Sequence, residues 1–276
     1  MNARRSSHKL YRGLLLAAAL SVPFGARAAL PAGYAQIDYI ESSGTQWIDT
    51  GYLPNSNTRL EADWQFIGSM TRPGGGAPIG CSEDGGVISF SMSFGGNANQ
   101  DNQLFTWFNK SYGASAIYIE ITTAIRTSRN TFALDAGAGL ATYAGVSKSV
   151  HKKTNTHLVN TFVIFGSKTG DPGAVTPFSY CGLRLFGFKI YEGDTLVRDL
   201  VPCITKIGDA MVAGLYDAAH PELGDASFYA NQGTGDFIFI RNAMDFFVTP
   251  AGAGTMDGSS WSNAFAGLAS ISGAIR

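Results

Sequence analysis

Between Arg59 and Phe66, the apolar residues Leu60, Ala62, Trp64 and Phe66 alternate with Arg59, Glu61, Asp63 and Gln65. Successive side chains of a strand point to opposite faces, so this period of two predicts a strand with one face on a core and one towards water. Val87 to Phe94 repeats the pattern, with Ile88, Phe90, Met92 and Phe94 on one face and serines filling most of the other. Two such faces imply two sheets packed against each other. The 34 glycines, together with abundant Ser, Thr and Asn and few Lys or Glu, suit short strands joined by tight turns. Helical periodicity is absent before about residue 258, and no internal repeat shows.

Later segments extend the same reading. Thr161 to Phe165 is apolar on both faces at its centre, as in a strand covered on both sides. Leu183 to Tyr191 is read as a strand with Phe186, Phe188 and Ile190 inward, and Glu192-Gly193-Asp194-Thr195 as a tight hairpin turn. Leu196 to Cys203 then returns antiparallel, with Pro202 expected to stop it because proline cannot donate to the ladder. The fold class that follows is all-β: a two-sheet antiparallel jelly-roll sandwich. In that hairpin Cys203 falls opposite Arg184, three positions from Cys181, so a Cys181–Cys203 bridge needs a bulge or bend. With Cys81 the third and last cysteine, buried free thiols are the expectation.

The opening residues carry a secretory pattern: basic Arg4, Arg5, Lys9 and Arg12, an apolar run from Leu14 to Val22, and the small-residue close Ala26-Arg27-Ala28. Residues 1–28 are therefore read as a signal peptide and the product as secreted or at the cell surface. The apolar run is too short to span a bilayer, which takes roughly 20 residues, so no membrane span is expected after cleavage. The signal holds five of the 20 basic residues and none of the 21 acidic ones, leaving 15 against 21 and a net charge of −6. A mildly acidic chain with no Lys/Arg cluster lacks the footprint for phosphate-backbone binding, so nucleic acid is not expected as a partner.

The tail from residue 244 has another character. A turn-rich run from Ala251 to Ser260 leads into Trp261, Phe265, Leu268, Ile271 and Ile275 at helical spacing, with Ser259 or Ser260 as a cap. This predicts a short C-terminal amphipathic helix on a linker at the truncated start of a second domain spanning 244–276. The sandwich is assigned to 29–243.

Two stretches carry a family resemblance. One is Tyr39-Ile40-Glu41-Ser42-Ser43-Gly44-Thr45-Gln46-Trp47-Ile48-Asp49-Thr50-Gly51, followed by Asn55 to Arg59. The other is Phe188 to Tyr191, Leu196 to Cys203, Gly214-Leu215-Tyr216-Asp217 and Phe228-Tyr229 through Gly233-Thr234-Gly235. Together they resemble the laminin-G-like modules of the concanavalin A-like superfamily found in bacterial surface and phage-associated proteins. Phe247-Val248-Thr249-Pro250 and Gly254 to Trp261 with Ala264-Phe265 resemble the start of right-handed parallel β-helix domains. The early strand and the late hairpin are expected to pair as neighbours and close the sandwich. Gly44, Gly51, Gly233 and Gly235 most simply serve turns.

Glucanases of this superfamily place carboxylates on one strand face in the order Glu, any, Asp, any two, Glu. Here Phe66 stands where the second glutamate belongs, so Glu61 and Asp63 are read as a solvated strand face and no catalytic residue is assigned. His151, His157 and His220 show no metal-ligand or hydrolase spacing, and the His151-Lys152-Lys153 cluster reads as a solvated turn. No cofactor is assigned. Calcium is the one metal that the resemblance brings in, with oxygens available from Asp101 and the amides of the Asn97–Asn102 loop. A glycan site needs an exposed ring flanked by planar polar groups, and Trp107 and Tyr112 beside Asp101, Asn102 and Asn109 meet that description. The plainer reading of Trp107 is a core ring between Phe105 and Phe108. The expected function is a non-catalytic module that binds carbohydrate or a cell-surface ligand. The alternatives are an adhesin spacer and an accessory domain of a polysaccharide lyase or glycoside hydrolase.

Overall fold

The computed structural model describes residues 29–68, 77–82, 89–94, 103–108, 117–120, 127–149, 160–170, 173–179, 181–240, 248–249 and 265–266. In chain order the first strands are β1 (Tyr34–Gln36), β2 (Tyr39–Ser42), β3 (Ile48–Asp49), β4 (Thr58–Ile67), β5 (Ile79–Ser82), β6 (Ser89–Phe94) and β7 (Gln103–Phe108). There follow β8 (Ile117–Glu120), β9 (Asn130–Asp135), β10 (Leu140–Tyr143), β11 (Val146–Ser149), β12 (Val163–Ile164), β13 (Gly166–Thr169) and β14 (Ala174–Pro177). The last are β15 (Gly182–Glu192), β16 (Thr195–Ile207), β17 (Ala210–Asp217), β18 (Phe228–Ala230), β19 (Ile238–Ile240), β20 (Val248–Thr249) and β21 (Phe265–Ala266). A 3-10 segment, Pro221–Ser227, joins β17 to β18.

The protein is an all-β sandwich. One sheet runs β11-β10-β9-β4-β15-β16-β17-β18, with β1, β2 and β19 paired alongside. The other runs β14-β13-β5-β6-β7-β8, with β12 and β3 attached. Leu60, Trp64, Phe66, Phe132, Leu185 and Phe188 of the first sheet share one core with Ile79, Phe90, Met92 and Ile164 of the second. The rings interlock across it, with Phe162 edge-on to Phe90 at 5.5 Å and stacked on Phe188 at 5.9 Å. The period of two in β4 is realised as read, and Phe162 to Phe165 are buried throughout. The hairpin turn also stands as read: Glu192 faces Thr195 across Gly193-Asp194, and Gly193 takes φ 58°.

The large sheet forks. β15 pairs with β16 only from Phe188↔Leu200 to Glu192↔Thr195, and beyond that point the two strands part. The early segment fills the gap, with β2 on β15 (Leu183↔Ser42 to Leu185↔Ile40) and β1 on β16 (Tyr34↔Thr205 to Gln36↔Cys203). Ile37 sits buried between the arms, its N–H donating to Pro202 O at 3.1 Å. Early strand and late hairpin are thus neighbours, as expected from the two stretches.

The fork corrects three local readings. Cys203 stands opposite Gln36 and not Arg184, because β1 occupies the place the returning arm of the hairpin would have held; none of the three cysteines forms a disulfide. β16 does not stop at Pro202 but runs on to Ile207. In an extended strand a residue's N and C=O face the same edge, and Pro202 O faces β1, so the missing donor falls at the seam where β16 changes partners and costs the β17 ladder nothing. Phe186 is half-buried on the outer face, since a bulge between Leu185 and Gly187 shifts the alternation by one: Leu183 and Leu185 point inward before it, Phe188 and Ile190 after it.

The tail is corrected as well. Phe265–Ala266, inside the expected helix, form a strand paired in parallel with Val248–Thr249. The strand replaces the expected helix at these two positions; the rest of the expected helix lies outside the described residues.

The stretches that carry the resemblance meet end to end. Gln46 Oε1 accepts from Ser42 Oγ (3.0 Å) and Ser43 N (2.9 Å), while its Nε2 donates to Asp236 O (3.1 Å). Trp47 N donates to Asn231 Oδ1 at 3.1 Å, and Thr45 Oγ1 to Thr234 O at 2.7 Å. At Gly233 the turn adds a demand of space: its N–H donates to Asn231 Oδ1 at 2.8 Å, and a Cβ would collide with Thr45 O. Gly233→Ala is expected to destabilise the sandwich by about 1–3 kcal/mol, read as a lowered urea midpoint. Trp64, fully buried and stacked on Phe132, has an Nε1 without a hydrogen-bond partner. Trp64→Ala is therefore expected to cost about 3–5 kcal/mol and Trp64→Phe clearly less, because the phenyl ring keeps the stack and removes the unpaired donor.

Candidate functional site

Of the residues singled out for ligand binding, Asp101, Asn102, Asn109 and Tyr112 lie outside the described residues, as do the Asn97–Asn102 loop, His151 and His157. Trp107 lies in β7, in register with Ser91 of β6. Among the described residues no group of three or more metal-ligating side chains gathers, and no helix is long and apolar enough to cross a membrane.

The carboxylates of β4 are not a solvated face. Asp63 is buried, and Arg129 clamps it with Nη2 at 2.6 Å from Oδ2 and Nε at 3.0 Å from Oδ1. Glu61 is bound by Arg59. The same arrangement recurs at Arg184, whose Nε donates to Glu41 Oε2 at 2.6 Å. Each guanidinium also lies on a ring: Arg59 over Tyr191 at 3.8 Å, Arg129 over Phe186 at 3.9 Å and Arg184 over Tyr39 at 4.6 Å. Asp63, through its hydrogen bond first, raises the Arg129 pKa against the opposing cost of burial. The outer face of the large sheet is thus plated with ring, arginine and carboxylate, each charge neutralised in place. Phe186 reaches the plating only because of the bulge, and Gly187 inside a strand was the one sequence signal for it.

A second polar group stands at the margin of the inner face, and sequence reasoning did not assemble it. Arg198 shares its face with Leu200, which is in the core, because Arg198↔Ile190 and Leu200↔Phe188 are cross-strand pairs. Asp217, opposite Leu200, points the same way and is buried, its Oδ2 3.5 Å from Arg198 Nε. Asp217 Oδ1 accepts from the backbone N–H of Asp199 (2.9 Å) and Ala219 (3.1 Å), which fixes the carboxylate. Adjacent Asp199 has its Oδ1 buried without a hydrogen-bond partner.

Two tyrosines complete the group. Tyr229, half-buried beside Arg198 and Asp217, has its pKa raised chiefly by burial, with the Arg198 charge opposing. Tyr52 is pushed up to about 12 by burial, against the lowering hydrogen bond of Thr58; its hydroxyl lies 2.9 Å from Thr58 Oγ1 and donates to Glu192 Oε1 at 3.1 Å. Asn55 Nδ2 reaches the same Glu192 oxygen at 3.1 Å. Phenols displaced this way stay protonated at neutral pH, so the group holds hydrogen-bonding hydroxyls. The Arg198 side chain is 24% exposed, with its Nη1 donating to Val197 O at 2.7 Å and its Nε buried without a hydrogen-bond partner.

The Asp63–Arg129 pair is asymmetric, with side-chain exposures of 9% and 53%. Arg129→Ala leaves an anion enclosed and is expected to cost about 1–3 kcal/mol. Asp63→Ala lets the arginine rehydrate and is expected to cost about 1 kcal/mol or less; paired urea melts check the order. Compared with protein-family models and with curated proteins, the chain matches none.

Proposed function

We propose that the sandwich is a laminin-G-like, concanavalin A-like jelly-roll module that is exported to the cell surface and binds carbohydrate or another surface ligand without catalysing a reaction on it. One observation carries the reading: Arg198, Asp217, Tyr229 and Tyr52 bring a guanidinium and two protonated phenols together at the open margin of the inner face. Fixed planar donors beside aromatic rings suit the hydroxyl groups and apolar faces of sugars. The β4 carboxylates, bound to Arg59 and Arg129, support the non-catalytic half of the reading. The mature charge of −6 and the secretory pattern favour an extracellular partner other than nucleic acid.

A glycan array probed with residues 29–276 tests it. Wild type is expected to bind a restricted glycan set, and Arg198→Gln to weaken that binding by about tenfold, the loss of one or two charge-assisted hydrogen bonds. The double variant Trp107→Ala/Tyr112→Ala, on the same array, tests the patch read from sequence. Absence of binding by correctly folded wild type, or release of reducing ends from a polysaccharide, overturns the proposal.

A further inference from the structure

The strands at the two ends of the large sheet's chain path, β1 and β19, run the same way. β1 is antiparallel to β16, and β16 is antiparallel to β15, so β1 runs with β15. β2 is antiparallel to β15 and β19 to β2, so β19 runs with β15 too. The chain therefore enters β1 towards one end of the sheet, where Tyr34 faces Thr205, and leaves β19 towards the other, where Ile240 faces Tyr39. Tension between entry and exit draws β1 backwards and β19 forwards along their own axes. Ladder bonds lie across antiparallel strands. A strand pulled along its axis loads all of them together, whereas a strand lifted from its end loads them singly.

β1 has only three residues, but it is held on both faces. Ile37, just past its end, is part of the core and Ala35 packs against that core, while on the outer face the Tyr34 ring lies 4.6 Å from Tyr216 and 5.7 Å from Phe228. Tyr34 OH donates to Asp225 Oδ1 at 2.9 Å, Thr205 Oγ1 to Gly33 O at 2.9 Å and Ile37 N to Pro202 O at 3.1 Å. Hydrogen-bonded pairs alternate along an antiparallel ladder, so Ala35, two positions before Ile37 and opposite Ile204, also gives its N–H to β16. Behind β1 the geometry is weaker. Only Ile37 and Asp38 separate β1 from Tyr39, and Tyr39 stands opposite Ile240. Without β1, the load would reach β2 and β19 at the same end of their ladder and open it pair by pair. The bond from Gln46 Nε2 to Asp236 O (3.1 Å) and the Phe237 ring against Phe165 (5.2 Å) hold the far end of β19, away from where that load would arrive.

We propose that the sandwich carries tension between its two ends and that β1 is its mechanical clamp: sheared against β16, it keeps the load off the β2 and β19 pair. The clamp depends on strand direction and on the bonds that hold β1, and it stands whether or not the Arg198 margin binds a ligand.

Single-molecule force spectroscopy on the full chain, held at two different pairs of positions, tests the clamp. Handles at Ala32 and at Arg241, directly after β19, pull β1 along its axis. Handles at Ala32 and at exposed Asp209, in the turn that follows β16, lift β1 from its first pair, Tyr34 with Thr205. The first opening is expected at a higher force on the Ala32 to Arg241 axis than on the Ala32 to Asp209 axis. Ala35→Pro removes a ladder donor from β1 and is expected to lose the high-force event. Arg129→Ala, which weakens the fold away from β1, is expected to keep it. A wild type that opens no harder on the first axis than on the second, or an equal loss of force in the two variants, sinks the clamp; the comparison of axes in wild type decides alone if Ala35→Pro does not fold.

Discussion

The parting of β15 and β16 is the constraint on which the rest of the sheet depends. Two strands joined by a two-residue turn would normally remain paired along their length, and here they separate after Phe188 and Leu200. Open arms leave unpaired backbone groups, which is costly away from water. The segment from Tyr34 to Ser42 supplies the partners on both sides, and β19 then pairs with the far edge of β2. The ends of the domain are therefore built into the centre of its larger sheet. The Gln46 and Asn231 hydrogen bonds fasten the adjoining loops to one another.

The two faces of that sheet solve different problems. The inner face excludes water with rings and aliphatic chains, and its energy is the burial of apolar area. The outer face over β4 and β15 is covered by its own long side chains, arginine planes laid on aromatic rings and tied by carboxylates. This is cover with little net charge, and in it the buried Asp63 is paired with Arg129. Where the sheet reaches β16 and β17 the plating gives way to the Tyr34 and Phe228 rings, which lie against buried Tyr216 and beside Gly214, the partner of Cys203.

Between the two stands Arg198, on the inner face by alternation yet too near the margin to be sealed. Its Nη1 donates to Val197 O, which also lies 3.1 Å from His220 Nε2.

The sequence alone determined the repeating local pattern: alternation in β4, the doubly covered run Phe162 to Phe165, the turn at Gly193-Asp194, and from these a sandwich of two sheets. Such features depend on residues within a few positions of each other, where period and turn chemistry act directly. Partnership was decided by the tertiary structure. Pro202 looks like a stop until β1 arrives to make its missing donor harmless, and Phe186 looks like core until a bulge opposite Asp63 turns it to Arg129. Asp63 looks solvated until an arginine 66 positions away closes on it, and His220 looks like surface until Val197 and Glu222 meet its two nitrogens. A linear chain states which side chains alternate; only the folded one states which backbone or charge stands opposite, because that depends on segments far apart in the sequence.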